Sequence, residues 1–187
     1  MASVDNFDEE LPAGGSVLQP TDKVLIHEAS SGLKKYLTGD LAARGQTGVV
    51  AVTAGATLLT VTAAAHAGKV ITLANTAPIA ITLPAVTGTG NTYKFVVLAA
   101  ATATASTINR ATTADIMTGF VTALTTAAAG VVGYKTTATD NTISMNGTTS
   151  GGVVGDVWEL TDIASGKWSV QGNTAPTGTT VTNFSHV

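Results

Sequence analysis

The sequence contains few residue combinations that could support catalysis. Its three histidines, His27, His66 and His186, lie far apart in the chain, and none has the spacing of a zinc-binding motif. His27 and Glu28 come nearest to an acid–base pair, but neighbours on a strand point to opposite faces and would not converge on one substrate atom. We interpret His66, in a segment rich in alanine, as a turn residue. We therefore expect no catalytic histidine.

Three other segments have some features of ligand sites, yet each lacks a decisive residue. Residues 88–90 (Gly-Thr-Gly) lack the third glycine of a dinucleotide fingerprint, so we interpret them as a turn. Residues 147–152 are rich in glycine, but no lysine follows them as in a phosphate loop. Asp156, Glu159 and Asp162 do not follow the calcium-loop pattern. The sequence thus predicts no metal site, no cofactor and no enzymatic activity.

Composition excludes further classes of protein. Only 11% of the 187 residues are charged, against roughly 25% in typical soluble domains, and the net charge is -3. No basic field is available to neutralise phosphates, so we expect no nucleic-acid partner. Cysteine is absent, which excludes disulfides and thiolate metal sites. No apolar run is long enough to span a bilayer, and the acidic residues near Met1 differ from an export signal, so we expect neither a membrane contact nor a cleaved leader.

The charged residues are unevenly distributed along the chain. Residues 1–48 contain seven acidic and four basic side chains, which accounts for the whole net charge, whereas the remaining residues contain five of each. We therefore divide the chain into an extended N-terminal arm, residues 1–48, and a neutral body, residues 49–187. Residues 12–15 (Pro-Ala-Gly-Gly) and 19–22 (Gln-Pro-Thr-Asp) oppose long helices or strands in the arm. Residues 22–27 nevertheless have strand length, and residues 38–45 could form one helical turn.

The body has the composition of an all-β domain. Across the whole chain, Thr supplies 34 of the 187 residues and Ala supplies 30, and Thr favours extended chain. Short apolar runs alternate with Gly, Pro and Asn at the spacing of sandwiches and barrels. We predict a sandwich or barrel, jelly-roll-like, with strands at residues 49–53, 57–62, 69–73, 79–83, 93–98, 107–109, 131–136, 141–145, 156–160 and 168–171.

Several local features of the body refine this prediction. The motif Ile-Thr-Leu occurs at residues 71–73 and again at 81–83, which indicates two strands joined by a turn; no longer repeat is evident. Asn146-Gly147 is typical of a tight hairpin turn. Residues 113–118 could start a short helix that Gly119 ends, and residues 123–129 are compatible with loop, strand or helix. Trp158 and Trp168 are expected in the core.

The body resembles segments of β-rich virion proteins of tailed bacteriophages, of the head-decoration (cement) or head-fibre type. The resemblance lies in residues 67–73 (Ala-Gly-Lys-Val-Ile-Thr-Leu), 81–84 (Ile-Thr-Leu-Pro) and 88–97 (Gly-Thr-Gly-Asn-Thr-Tyr-Lys-Phe-Val-Val). Residues 166–172 (Gly-Lys-Trp-Ser-Val-Gln-Gly) look like the closing strand of the same domains. The resemblance implies a homotrimer and transfers no catalytic residue.

The function expected from these observations is that of a structural virion protein. It would decorate the capsid, bind the major capsid protein and stabilise the head, after assembly in the host cytoplasm. The arm has more apolar residues than a spacer needs, so we expect it to supply the capsid anchors: Phe7, Leu11, Leu25, Ile26, Tyr36 and Leu37. The alternative is a tail-fibre or receptor-binding module that presents residues 147–152 to a host surface glycan.

Overall fold

The structure is a computed structural model that describes residues 23–28, 32–37, 48–100, 105–125 and 130–187. The chain divides into two units, Met1–Gln46 and Thr47–Val187. The predicted helical turn at residues 38–45 lies outside the described residues.

The N-terminal unit contains a two-stranded antiparallel hairpin, formed by β1 (Lys23–Glu28) and β2 (Gly32–Leu37). Its register pairs Lys23 with Leu37 at one end and Glu28 with Gly32 at the other. Strand β1 matches the apolar run expected at residues 22–27. An isolated two-stranded hairpin has little stability in water, so further contacts are needed to hold it.

The second unit confirms the prediction of an all-β sandwich, because its described residues form twelve strands and one short helix. One mixed sheet has seven strands in the order β10-β9-β13-β12-β7-β5-β3, and the other has five in the order β14-β11-β8-β6-β4. The strands are β3 (Val49–Ala51), β4 (Leu58–Thr60), β5 (Val70–Leu73), β6 (Ala80–Thr82), β7 (Thr92–Val97), β8 (Ser106–Asn109), β9 (Ile116–Thr125), β10 (Gly130–Lys135), β11 (Thr142–Met145), β12 (Val157–Ala164), β13 (Lys167–Thr174) and β14 (Phe184–Ser185).

Strands β3 to β8 form three stacked coils. The chain alternates between the two sheets at every connection, so β3, β5 and β7 pair in parallel in one sheet while β4, β6 and β8 pair in parallel in the other. The two predicted Ile-Thr-Leu strands both exist, and the segment between them crosses from one sheet to the other. The coils are a structural repeat that the sequence analysis missed, because the connections differ in length and composition.

The C-terminal strands complete both sheets. The hairpins β9–β10 and β12–β13 are antiparallel, whereas β9 and β13 pair in parallel. Strand β12 joins this group to the coils through β7, and strands β11 and β14 extend the smaller sheet from β8. Every strand pair of the body therefore continues one of two sheets that face each other.

The core between the sheets is organised as two registered rows of inward-facing residues. In the larger sheet one row crosses all seven strands through Val50, Ile71, Phe95, Trp158, Gly172, Val121 and Tyr134. In the smaller sheet the row is Leu59, Ile81, Ile108, Ile143 and Phe184. Both tryptophans are fully buried, as expected. The rings of Trp168 and Tyr93 pack edge to face, with their centroids 5.6 Å apart. The rings of Trp158 and Phe184 pack in the same way, with their centroids 6.3 Å apart.

Two glycines are required by close contacts within this core. A Cβ added to Gly172 would lie 2.6 Å from two ring carbons of Trp158, its direct partner across the strand pair. A Cβ on Gly119 would lie 1.8 Å from the carbonyl oxygen of Val170. The indole ring and the β13 backbone thus occupy the space that a side chain would need.

The prediction of a helix at residues 113–118 was wrong. Residues 112–115 form a turn, in which the Asp115 carboxylate accepts a 3.2 Å hydrogen bond from the Thr112 backbone N–H. Strand β9 then begins at Ile116 and is paired on both edges, by β10 and by β13. Its threonine, valine and phenylalanine residues fit a strand with two neighbours better than a helix. Residues 123–125 belong to this strand, and residues 126–129 lie outside the described part.

The hairpin predicted at Asn146-Gly147 was also wrong. Strand β11 ends at Met145 but pairs with β8 and β14 instead of with the following strand. The Asn146 side chain explains the difference: its Oδ1 accepts hydrogen bonds from the backbone N–H groups of Thr148, Thr149 and Ser150, at 2.8–3.0 Å. The chain therefore curls into a loop instead of reversing into a partner strand.

The one helix among the described residues is α1 (Ala63–His66), a single turn between β4 and β5. Thr62 caps it, since its Oγ1 accepts a 3.3 Å hydrogen bond from the Ala65 backbone N–H. The interpretation of His66 as a turn residue was wrong, because His66 ends this helix and is buried.

Candidate functional site

The residues that could perform acid–base chemistry lie apart from one another. His66 Nδ1 lies 3.1 Å from the Thr62 backbone nitrogen, within α1 and its cap. His186 Nδ1 lies 2.7 Å from both Asn141 Nδ2 and the Thr139 carbonyl oxygen, where the C-terminus meets the loop before β11. Within the described ranges, no group of three or more His, Cys, Asp or Glu residues is placed to hold a metal ion.

The Gly-Thr-Gly segment at residues 88–90 holds a carboxylate of the chain itself. Asp162, on β12, accepts hydrogen bonds from the backbone N–H groups of Thr87, Gly88 and Thr89 and from the Thr89 hydroxyl, at 2.6–3.2 Å. Burial of Asp162 raises its pKa, but the bonds from Thr89, Gly88 and Thr87 outweigh burial and hold the pKa below its ordinary value. The segment lies in a loop that bends at Gly88, and the converging N–H groups of this loop are occupied by Asp162.

Asp156 is a second buried carboxylate without a described cationic partner. It accepts hydrogen bonds from the backbone N–H groups of Gly152, Val153 and Ala175, at 2.7, 3.2 and 2.8 Å. Burial raises its pKa and exceeds the lowering effect of the three N–H groups. Glu159, by contrast, is exposed on the outer face of β12. Asp156, Glu159 and Asp162 therefore do not converge on one point, and the two buried carboxylates join loops to strands.

An exposed apolar surface occurs where β9 and β10 form the free end of the larger sheet. Phe120, Leu124 and Val131 project from the outer face of this hairpin, and Leu124 and Val131 are direct partners across the strand pair. Val154, in the loop before β12, lies across a groove from Leu124. These four residues, which we call the hairpin patch, are 49–64% exposed.

The groove beside the hairpin patch has a volume of about 330 Å³. The Asp156 carboxylate contributes to its floor but is itself buried and bonded to three N–H groups. The residues that line the groove are Thr122, Leu124, Val154, Gly155, Asp156, Asn173, Thr174 and Ala175. A groove of this size between two exposed apolar side chains fits a side chain of a docked protein.

The hairpin patch was missed by the sequence analysis, although β9 contains a signal for it. Within residues 116–125, apolar residues occupy both the inward positions, as at Val121, and the outward positions, as at Phe120 and Leu124. A strand at a solvated face normally alternates apolar and polar residues. Apolar residues on both faces indicate either burial on both sides or an interface.

The six predicted capsid anchors all lie in the N-terminal unit. Leu25 and Ile26 belong to β1, and Tyr36 and Leu37 belong to β2. In the register of the hairpin, Leu37 pairs with Lys23 and Tyr36 with Val24, so these two anchors lie near the start of β1. The other two anchors, Phe7 and Leu11, lie outside the described residues.

Comparisons with known proteins do not assign the chain to a family. Within its described part, the chain contains no helix of sufficient length and apolarity to cross a bilayer. No family model, no curated protein and no solved structure matches it.

Proposed function

We propose that this chain is a structural virion protein of a tailed bacteriophage, which decorates the outside of the capsid shell and stabilises it. In this proposal the body associates with copies of itself as a homotrimer. The arm binds the major capsid protein through the six anchors named above.

The observation that carries the proposal is the hairpin patch. Leu124 and Val154 are 56% and 64% exposed and border one groove at the free end of a sheet, and Val131, which is 64% exposed, is the direct partner of Leu124 across the strand pair. Contiguous exposed apolar side chains of this kind mark protein–protein contacts, because leaving them in water is unfavourable. A trimer that buries the patch removes this apolar surface from water in each copy.

The few charges of the body support the same proposal. Residues 49–187 carry five acidic and five basic side chains, so copies of the body approach one another with little net repulsion. The buried carboxylates Asp156 and Asp162 are engaged by backbone N–H groups, which is a structural use of charge. A protein that binds only the assembled shell stabilises that shell by mass action, without chemistry of its own.

Self-association is tested with a double variant of the hairpin patch, Leu124→Lys with Val131→Lys. We expect the purified variant to lose association through the hairpin patch, so that its mass falls below the wild-type value. Its thermal midpoint should not change, because both side chains are exposed. Thr118→Lys is the matched control, since Thr118 is an exposed outward residue of the same strand outside the patch. A variant that keeps the wild-type mass in light scattering would contradict the role of the patch.

Capsid binding is tested with a second change that leaves the body intact. We expect deletion of residues 1–20, which removes Phe7 and Leu11, to abolish sedimentation with assembled shells while the body keeps its circular dichroism spectrum. Gold labelling of the protein on whole particles then gives its location. Label on the tail, with undiminished shell binding by the deletion variant, would favour the receptor-binding alternative.

A further inference from the structure

Strand β3 has an unpaired edge at the end of the stacked coils. On its paired side, the Gly48 carbonyl accepts a 2.9 Å hydrogen bond from the Val70 N–H, and the Val52 N–H donates a 3.0 Å hydrogen bond to the Thr72 carbonyl. In a parallel pair, alternate residues bond to the same neighbour, so the N–H and C=O groups of Val49 and Ala51 point away from β5. Among the described strands, none pairs with this outer edge.

Strand β4 has the same kind of edge in the smaller sheet. The Thr57 carbonyl accepts from the Ala80 N–H at 2.9 Å, and the Val61 N–H donates to the Thr82 carbonyl at 2.8 Å. Leu58 and Thr60 alternate with Leu59 along the strand. Their main-chain groups therefore point away from β6. The first coil thus ends both sheets with open strands, which together we call the open coil edge.

The usual protections of an edge are missing from this coil. Residues 48–68 contain no Lys, Arg, Asp, Glu or Pro, although charged residues and proline are what normally prevent an edge strand from pairing with another chain. Val49 and Leu58, the first residues of the two strands, are 69% and 62% exposed. Within the part of the chain that the structure describes, the edge therefore offers unpaired donors and acceptors and apolar side chains, without any charge.

We propose that the open coil edge pairs with the open coil edge of a second copy of this chain, so that two bodies join end to end about a twofold axis. Both sheets then continue from one body into the next. This inference goes beyond the proposed function and does not depend on it, because it uses a different surface.

A second copy is the occupant that best satisfies the geometry. The partner must extend two sheets at once, so it has to present two strands at the separation of the layers of this sandwich, about 10 Å. A single extended peptide would cover β3 or β4 but not both. Another copy presents the required pair by symmetry, and because the edge is uncharged, like edges meet without repulsion.

The twofold axis fixes the register of the new pairs. Val49 and Ala51 have the outward main-chain groups, so Val49 lies opposite Ala51 of the second copy, with Val50 at the centre. In the same way Leu58 lies opposite Thr60 of the second copy, with Leu59 at the centre. Each antiparallel strand pair then forms about four main-chain hydrogen bonds.

The test removes outward N–H groups without touching the bonds inside the body. Proline is tolerated where an edge N–H faces outward, so Ala51→Pro with Thr60→Pro blocks the new pairs and keeps the bonds to β5 and β6. Ala51→Ser with Thr60→Ser is the matched control, because both N–H groups remain. We expect the proline variant to have half the wild-type mass by light scattering and the serine variant to keep it.

Amide hydrogen exchange of the wild-type protein gives an independent readout. We expect the amides of Val49, Ala51, Leu58 and Thr60 to exchange at least about tenfold more slowly at a concentration where copies pair than after dilution. If the proline variant does not fold, Val49→Lys with Leu58→Lys replaces it, since both positions are exposed and the added charges of two copies would repel.

Three results would overturn the inference. They are an unchanged mass in a folded edge variant, unprotected edge amides in concentrated wild-type protein, and protection that persists in a monomeric sample. To keep the two proposals separate, the edge changes are also introduced into the Leu124→Lys, Val131→Lys background. The end-to-end pair predicts that the edge changes halve the mass in both backgrounds, whether or not the hairpin patch associates.

Discussion

The backbone N–H of Gly88 donates a 2.6 Å hydrogen bond to the Asp162 carboxylate, 74 residues further along the chain. The neighbouring N–H groups of Thr87 and Thr89 and the Thr89 hydroxyl complete the set of donors. This contact fastens the loop before β7 to the C-terminal part of β12. It joins the stacked coils to the C-terminal hairpins, so its loss should weaken the whole body.

Replacing Asp162 with asparagine should lower the free energy of unfolding by about 2–3 kcal/mol at neutral pH, because an amide NH2 would replace one of the two charged oxygens that accept hydrogen bonds from Thr87, Gly88 and Thr89. Urea unfolding followed by tryptophan fluorescence measures the change. Glu159→Gln, an exposed change on the same strand, is the control and should stay within about 0.5 kcal/mol of the wild type. Equal stabilities of the two variants would contradict the structural role of Asp162.

The two buried carboxylates predict opposite dependences of stability on pH. Because the pKa of Asp162 is lowered in the fold, its contribution is full above the ordinary aspartate pKa and is lost as pH falls through the lowered value. Because the pKa of Asp156 is raised, its contribution is full below the ordinary pKa and is lost as pH rises through the raised value.

Urea unfolding at several pH values from about 3 to 7 separates these two effects. The Asp162→Asn variant should lose less stability on acidification than the wild type, since the group responsible is gone. The Asp156→Asn variant should lose less stability as pH rises above the ordinary aspartate range. Parallel pH profiles for the wild type and both variants would show that neither carboxylate is linked to folding.

Glycine substitutions should separate crowded positions from open ones. Gly172→Ala places a methyl group against the Trp158 ring and should cost about 1–3 kcal/mol, with a change in near-ultraviolet circular dichroism. Gly119→Ala meets backbone instead of a side chain, so the loss should be larger. Gly48→Ala is the control, because nothing lies within 4 Å of its added Cβ. A thermal midpoint of Gly172→Ala equal to that of the control would contradict the predicted packing.

Position 146, in the loop after β11, should tolerate aspartate but not alanine. Asn146→Asp keeps an oxygen that accepts from the N–H groups of Thr148, Thr149 and Ser150, so its stability should remain near that of the wild type. Asn146→Ala leaves those groups without an acceptor and should cost about 1–3 kcal/mol. Thermal unfolding of the two variants, compared side by side, gives the answer, and equal losses would show that the side-chain oxygen is dispensable.

The sequence was sufficient for the fold class and for most strands, because alternation of apolar residues is a local signal. Residues 93–98 alternate clearly, and the structure has β7 there at Thr92–Val97. The pairing of strands could not be predicted in this way, because it depends on residues that are distant in the chain. Nothing in the local pattern of β5 and β6 shows that these consecutive strands lie in opposite sheets.

The errors also have physical causes. Thr113 to Thr118 have the composition of a capped helix start, but pairing of residues 116–118 with β13 outweighs this local preference. The hairpin patch escaped notice because Phe120 and Leu124 are ordinary apolar residues of a strand until their exposure is known. The arm anchors Phe7, Leu11, Leu25, Ile26, Tyr36 and Leu37 remain predictions.

The position of β13 has a consequence for how the protein is synthesised. Strand β9 reaches the rest of its sheet only through β13, and these two strands pair although Lys167 lies far beyond its partner Ile116. While the ribosome is still adding residues before Lys167, the β9–β10 hairpin has no strand of the larger sheet to dock on. Docking of the β9–β10 hairpin must therefore wait until β13 has been translated, and until then a nascent chain exposes the hairpin's inner apolar side chains to chaperones.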